Sequence, residues 1–428
     1  MTKPLRLGIA GLGTVGVGVV KIVQKHAQLL ADRTGRTITI SAVSARSRDK
    51  DRGVNLSKFT WEDDPVALAR RDDVDVFVEL MGGSDGPAKT ATEAALAAGK
   101  DVVTANKALL ALHGQTLAEL AEGNGACLRY EAAVAGGIPV IKTLTEGLAG
   151  NAISRVMGVM NGTCNYILTR METGGLTYDQ AFAEADGLGY LEADPMLDVG
   201  GIDAAHKLAI LASLAFGTRV DFAAVALEGI GAITIEDINR AGDMGYKIKL
   251  LGVAQMTGRG LEQRMSPCLV PATSPLGQLQ GGTNMVVLEG DAVGQIVLRG
   301  AGAGEGPTAS AVLADICDLA RGLRLPTFGQ PAATLSAAPA ASAAGPARYY
   351  LRLMLLDKPG ALAKVATVLG DSGISIDRMR QYDHPGDDAP VLIVTHKTAR
   401  PSLDAALAAL PATGVLHGNP VALRIEDV

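Results

Sequence analysis

Aromatic residues are scarce, at 4% of 428 positions with one tryptophan. Cysteine is scarcer: Cys127, Cys164, Cys268 and Cys317 stand far apart with no CxxC pair. That spacing offers neither a disulfide frame nor a zinc set, and reads as buried free thiols in a reducing compartment. No basic block occurs and the net charge is −6, which argues against nucleic acid or an anionic membrane as a partner. No apolar run is long enough to span a bilayer, and no signal peptide precedes the first strand-like run, so the expected location is the cytoplasm. What is left is a composition ordinary for a folded protein, 48% hydrophobic and 20% charged. The length exceeds what one core accommodates, so two or three domains are expected.

LRLGIA at residues 5–10 is an apolar run of strand length, followed by GLGTVG at 11–16 and then by VGVVKIVQKHAQLL with helical spacing. Strand, GxGxxG and helix in that order form the setting in which the motif has a mechanism. The glycines allow a tight turn and close backbone approach, and the helix start offers N–H groups to a diphosphate. Gly11, Gly13, Thr14, Val15 and Gly16 are therefore expected to hold a dinucleotide. The second strand, near residues 37–45, runs into SARSRDK, with no acid where an NAD ribose is usually held. Arg46 and Arg48 either pair with a 2′-phosphate, favouring NADP, or are solvated surface charges. Residues 74–80 read as a buried strand ending in MGGS, 88–99 as a helix and 101–104 as a short strand. Lys107 follows at a strand's carboxyl end, where open α/β sheets bind ligands. It is either a substrate-side charge or part of a helix cap.

The chemistry concentrates in GYLEADPMLDVGGIDAAHK at residues 189–207, which holds Glu192, Asp194, Asp198 and Asp203 and ends on Lys207. The pattern from 202 to 216 is apolar nearly all round, as in a buried helix. Asp203 and Lys207 lie at i and i+4 on one face of it. A lysine entering such a helix must be paired or neutral. Either outcome is useful to an enzyme, and a partly desolvated lysine, its pKa lowered, can exchange a proton near neutral pH; the bland alternative is a structural ion pair. Upstream, EAAVAGGIP at 131–139 is a small-residue loop with one acid. Carbonyls plus a carboxylate suit a hard cation of low charge, unless the loop is only a tight turn. NGTCNY at 161–166 is a polar cluster placed before the helix ILTRMET, suited to a carboxylate. Strand-like segments at 249–256, 262–269, 285–290 and 294–298 suggest an α+β module with one sheet face free to cover the site or to meet a second subunit. GAGAGEGPT at 300–308 is a second glycine loop, either returning to the cofactor domain or a flexible connection.

QPAATLSAAPAASAAGPA at 330–347 is nearly uncharged and reads as linker. The tail beyond it has a βαββαβ order, with a DKPG turn at a helix start that suits an amino-acid carboxylate. Removing residues 349–428 is expected to leave catalysis intact. The expected division is a dinucleotide-binding domain at 1–130 completed by 300–325, a substrate and dimerisation domain at 131–299, a linker at 326–347 and a tail domain at 348–428.

GYLEADPMLDVGGIDAAHK, TANKALL, NGTCNYIL, EAAVAGGIP and GAGAGEGPTASAVLAD together resemble homoserine dehydrogenase, and the tail resembles an ACT domain. With no aspartokinase-like segment in front, the monofunctional form is the expectation. The resemblance implies a Rossmann-type NAD(P) domain, an α+β substrate domain and a regulatory ACT domain. It implies NAD(P)-dependent interconversion of L-homoserine and L-aspartate 4-semialdehyde, on the route to threonine, methionine and isoleucine. Lys207 is implied as the acid/base, with Asp203 beside it and Lys107 between cofactor and substrate. Glu192 is implied to hold the substrate amino group, with Asp198, Thr163 and Tyr190 in the pocket. Gly83, Gly189, Gly302 and Gly304 are placed with the cofactor. A sodium ion on the backbone oxygens of Glu131, Val134, Gly136 and Ile138, a homodimer or homotetramer, and inhibition by threonine at the ACT domain are implied too. Two competing readings are an ACT-tailed 2-hydroxy acid or prephenate dehydrogenase, commonly built on histidine, and an amino-acid sensor with an inactive body.

Overall fold

A six-stranded parallel sheet opens the chain: β1 (Leu5–Ala10), β2 (Ile38–Ser44), β3 (Thr60–Trp61), β4 (Val76–Glu79), β5 (Asp101–Thr104) and β6 (Leu128–Arg129). This computed structural model describes residues 3–192, 194–341, 344–382 and 386–428. The strand order is β3-β2-β1-β4-β5-β6. Helices cover both faces, which is why the central strands read as apolar runs without alternation. The order reverses at β1, so a crevice opens above the carboxyl ends of β1 and β4. Glu305–Arg321, far along the chain, returns to this sheet. Its Ala309, Val312 and Ile316 share a core with Leu7, Ile9 and Val19, and Lys21 pairs with Glu305 at 2.7 Å. The second glycine loop is thus brought back beside the first.

The remaining strands are β7 (Ile153–Val159), β8 (Ala226–Leu227), β9 (Tyr246–Thr257), β10 (Gly260–Pro271), β11 (Thr283–Gly290), β12 (Gly294–Ala301), β13 (Arg348–Leu356), β14 (Ile376–Gln381), β15 (Asp388–Thr395) and β16 (Val421–Ile425). They make one mixed sheet in the order β12-β11-β7-β9-β10-β16-β13-β15-β14, with β8 on β10. Ile202–Phe216 is buried on nearly every side, between this sheet and the helix Lys107–Gly123. A helix in that position has no solvent face, which explains its unbroken apolar pattern.

The tail, with its expected βαββαβ order, does not hang free. β16 pairs in parallel with β10 through Cys268↔Arg424 and Leu269↔Ile425, so the two sheets are continuous. At the seam, buried Arg264 pairs with Glu262 at 3.0 Å and with Glu426. Arg352 of β13 reaches the fully buried Asp237 at 2.6 Å. The alanine- and proline-rich stretch before the tail is docked as well. Ala332 and Leu335 are buried, Leu261 donates its N–H to the Pro339 carbonyl at 2.9 Å, and Ala341 returns a bond to the Leu261 carbonyl at 2.9 Å. A segment without charges or a core of its own can still be held by its backbone against a strand start.

Candidate active site

A cleft of about 560 Å³ lies between the two glycine loops and the helix Ile202–Phe216. It is lined by Thr14, Val15, Lys107, Gly136, Thr163, Gly189, Tyr190, Glu192, Asp198, Asp203, Lys207, Gly302 and Gly304, among others. Gly11, Gly13, Gly16, Arg46, Arg48, Gly83, Glu131, Val134 and Ile138 are not part of its wall. Gly16 shapes it from beneath: a Cβ there would lie 2.0 Å from the Gly11 carbonyl oxygen, so only glycine closes this turn. Gly13 is open, with nothing within 4 Å of a Cβ, and no side chain caps the helix Thr14–Lys25. Its first N–H groups and dipole are therefore available to an anion, which fits a dinucleotide diphosphate. Arg46 and Arg48 are exposed just past the end of β2. Arg52, which sequence reasoning passed over, shapes their loop by donating to the carbonyls of Leu12 (3.2 Å), Ser47 (2.5 Å) and Lys50 (2.8 Å). Gly83 lies past β4, its carbonyl accepting from Asn106 at 2.7 Å.

One carboxylate sits between two amines at the base of the cleft. Asp203 Oδ2 accepts from Lys207 Nζ at 2.7 Å, and Asp203 Oδ1 lies 2.7 Å from Lys107 Nζ. The contact between helices Lys107–Gly123 and Ile202–Phe216 creates this juxtaposition, because both residues stand in first turns. Asp203 is 6% exposed and Lys207 8%. Burial acts to raise the Asp203 carboxyl, but the two lysines prevail and hold it well below the usual carboxylate range. For Lys107 burial acts to lower the ammonium; Asp203 and then Glu192, 3.6 Å away, outweigh it and hold it above its ordinary value. Lys207 also donates to the Met160 carbonyl at 2.9 Å. An ammonium has three N–H bonds, so one is left for a ligand. The lysine is paired, as a buried lysine must be, and Lys107 serves as charge and as helix start together, with Asn106 as the cap.

Around this centre Asp198 accepts from Asn161 Nδ2 (2.8 Å) and from the Glu192 N–H (3.0 Å). Thr163 Oγ1 donates to the Tyr190 carbonyl at 2.9 Å. The helix here begins at Gly162 with Asn161 as its N-cap, five residues before the start of ILTRMET at Ile167. Glycine at the first position hid the start, and Thr163 therefore sits on the first turn. His206 faces away from the cleft, 4.3 Å from the Phe222 ring, and burial pushes its imidazole below its ordinary value. It is not placed to serve as a dehydrogenase base. The Glu131 carboxylate also differs from expectation: it accepts the N–H groups of Ile141 (3.0 Å) and Lys142 (2.8 Å), so it does not face a cation in its own loop.

Lys249 is a further residue without a sequence signal, since one lysine in a strand reads as an exposed position. It is 3% exposed and donates to Asn165 Oδ1 at 2.9 Å and to the Leu279 carbonyl. Burial, with Lys247 nearby, pushes its amine down to about 8. Asn165 in turn donates to the Gly281 carbonyl at 2.7 Å, and the adjacent Gly282 lines the cleft. Lys249 thereby fixes one wall of the pocket. Lys249→Met leaves two buried carbonyl-type acceptors without their donor, at about 1–3 kcal/mol each. The expected outcome is a melting temperature lowered by several degrees and a raised KM for the small substrate, checked by thermal melts and steady-state kinetics.

Family models match the chain along most of its length: homoserine dehydrogenase over residues 139–317, the NAD binding domain of homoserine dehydrogenase over 11–131, and the ACT domain over 349–412. A homoserine dehydrogenase of Pseudomonas aeruginosa is 42% identical over 435 residues, covering 100% of both chains. That of Bacillus subtilis is 38% identical over 412 residues, covering 93% of this chain and 92% of its own. The crystal structure of a homoserine dehydrogenase from Thiobacillus denitrificans superposes with a TM-score of 0.94 at 39% identity, covering 99% of each chain. A hyperthermophilic archaeal homoserine dehydrogenase in complex with NADPH matches with a TM-score of 0.64 at 27% identity, over 76% of this chain and 100% of its own. With its parallel dinucleotide sheet, its mixed substrate sheet and its ACT tail, the chain belongs to the homoserine dehydrogenase family of nicotinamide-dependent oxidoreductases.

Proposed function

We propose that the protein interconverts L-homoserine and L-aspartate 4-semialdehyde, a step toward threonine, methionine and isoleucine. The observation that carries this reading is the Lys207–Asp203–Lys107 array facing the glycine loops across one cleft. A bound nicotinamide supplies or accepts the hydride. In the reducing direction Lys207 gives a proton from Nζ to the aldehyde oxygen as the hydride arrives at its carbon. In the oxidising direction it takes the hydroxyl proton as the hydride leaves. Charge developing on that oxygen is met by the ammonium of the buried Lys207. Asp203 holds both amines in place. Glu192 takes the substrate ammonium, Lys107 and the free N–H groups at the start of the helix Gly162–Gly174 the substrate carboxylate, Thr163 holds the Tyr190 carbonyl in the pocket wall, and Asp198 steadies Glu192 through its backbone. Gly189 and Tyr190 close the mouth. The test is reduction of NADP by the purified enzyme on addition of L-homoserine. Oxidation of a 2-hydroxy acid with no response to homoserine would overturn the proposal.

For the cofactor we propose NADP over NAD, held by Gly11, Gly13, Thr14, Val15, Gly16, Gly302 and Gly304, with Gly83 and Gly189 at its edges. The arginines Arg46 and Arg48 support this, since a guanidinium pairs well with a phosphate. Arg46→Ser with Arg48→Ser is expected to weaken NADPH binding tenfold or more, at about 1.5–3 kcal/mol for hydrogen bonds to charged groups, and to leave NADH binding unchanged. Calorimetric titration of the two nucleotides checks this.

A monovalent cation, sodium first, is proposed at the loop oxygens of Glu131, Val134, Gly136 and Ile138. The Glu131 and Ile138 carbonyls accept the N–H groups of Val134 (3.4 Å) and Val140 (2.8 Å); those of Val134 and Gly136 accept no backbone N–H among the described residues. The loop is turned there by Ala135 and Gly136, both at φ 56°. Burial, then Asp315, pushes the nearby Glu131 carboxyl up to about 7. A carboxyl raised on folding adds stability below its unfolded value, and that stability is lost as pH rises through 7. A cation held at the loop's carbonyl oxygens, without touching the carboxylate, favours its charged form and offsets part of that loss. Sodium in place of tetramethylammonium is therefore expected to raise the melting temperature more at pH 8 than at pH 5.

We further propose an amino-acid effector, threonine, at the ACT domain's turn before Ala361–Asp371, and a homodimer or homotetramer. β12 pairs only with β11 among the described residues and exposes Val297. An open edge of that kind suits a second copy. Sedimentation at several protein concentrations tests the assembly.

A further inference from the structure

We propose that Asn284 is a ligand-contacting residue whose side-chain amide pairs with the carboxamide of the nicotinamide and so fixes which way the ring is turned. The inference rests on the reading of this cleft as the cofactor site. Asn284 stands in β11 opposite Gly300 of β12 and lines the cleft. It is 1% exposed, and its Oδ1 has no hydrogen-bond partner among the described residues. Buried amide atoms without partners are rare in folded proteins, and each calls for a reason. The cofactor cleft supplies one.

The position narrows the choice of ligand group. A Cβ on Gly302 would lie 2.1 Å from Asn284 Nδ2 and 2.5 Å from Oδ1. The amide thus lies flat against the second glycine loop, and glycine at 302 is what makes room for it. Two residues earlier, Gly282 abuts Gly162: a Cβ on Gly162 would meet the Gly282 carbonyl at 2.5 Å. Asn284 is therefore placed between the cofactor loop and the helix start that carries Thr163, where the reacting ring and the substrate meet. An amide offers an acceptor and donors together, and oxygen and nitrogen exchange places on a flip. A diphosphate offers acceptors alone and leaves Oδ1 unpaired. An ammonium offers donors alone, and Glu192 is there for the substrate's. The carboxamide offers both, and it sits on the one ring whose face must be chosen for hydride transfer.

The 3-acetylpyridine analogue of NADP tests this, because a methyl replaces the carboxamide NH₂ and removes the donor that Oδ1 would accept. Dissociation constants of NADP and of the analogue are measured by calorimetry on the full-length enzyme and on Asn284→Ala, with Asn284→Ser as a second variant should alanine fail to fold. The expected result is that the wild type binds NADP about tenfold more tightly than the analogue, the effect of one buried hydrogen bond, and that the variants bind both nucleotides alike. Variants that keep the wild-type preference overturn the inference, as does an equal loss for both nucleotides with the preference intact. A wild type that binds NADP without distinguishing the analogue overturns it too. A wild type that binds no NADP overturns the cofactor reading itself, and the inference with it.

Discussion

Lys207→Ala is expected to lower kcat for homoserine oxidation by about 10²–10⁴-fold, the usual worth of a positioned proton-transfer group, and to leave the dissociation constant for NADP near that of the wild type. The split follows from position. Lys207 reaches Asp203 and the Met160 carbonyl on the substrate side of the cleft, whereas the glycine loops that would hold the dinucleotide lie opposite. Asp203 has a second partner in Lys107, 2.7 Å away in the native chain, so the substitution does not leave the buried carboxylate without a countercharge and the fold is expected to survive. An equal loss of turnover and of cofactor affinity, measured by steady-state kinetics and calorimetry, would make the lysine a structural element.

Deletion of residues 349–428 has the largest expected effect on stability, and it revises the expectation that catalysis survives without the tail. β10 loses its partner β16, Arg264 loses Glu426, and the fully buried Asp237 loses Arg352. Breaking a buried ion pair from one side costs about 3–5 kcal/mol. Arg264 keeps Glu262 at 3.0 Å, so that cost falls on Asp237, and with the lost strand pairing it is a large part of the ~5–15 kcal/mol that holds a typical domain together. The shortened chain is expected to aggregate on expression or to melt without a cooperative transition. A cooperative melt within a few degrees of the full chain, followed by circular dichroism, would show that the seam contributes little. The same continuity gives the tail a physical route to the catalytic half, because Asp237 belongs to a helix packed on β9 and on Gly162–Gly174.

How much of this was legible in the sequence depended on the distance between partners along the chain. The glycine loop with its flanking strand and helix, and the pair of Asp203 and Lys207 one helical turn apart, are local and periodic. The buried helix was marked by its lack of polar positions. Lys107 beside Asp203 was not legible from spacing, because it requires two helices from different parts of the chain to pack start against start. Lys249 and Asn284 carry no pattern at all: each is one polar residue in a strand that otherwise reads as core. Arg264 and Glu426 are 162 positions apart, and only the sheet joins them. The docking of the alanine-rich stretch escaped for a related reason, since backbone bonds leave no mark on composition.

The claim on which the mechanism stands is that Lys207 moves its proton in the same chemical step that moves the hydride. The most direct measurement is the primary isotope effect with homoserine deuterated at the carbon bearing its hydroxyl, compared between wild type and Lys207→Ala. If proton transfer from this amine lowers the chemical barrier, its loss makes hydride transfer rate-limiting, and the effect on kcat rises to its full intrinsic size. A variant that turns over slowly yet shows an isotope effect no larger than that of the wild type would contradict the assignment, because the slowed step would then lie outside the chemistry.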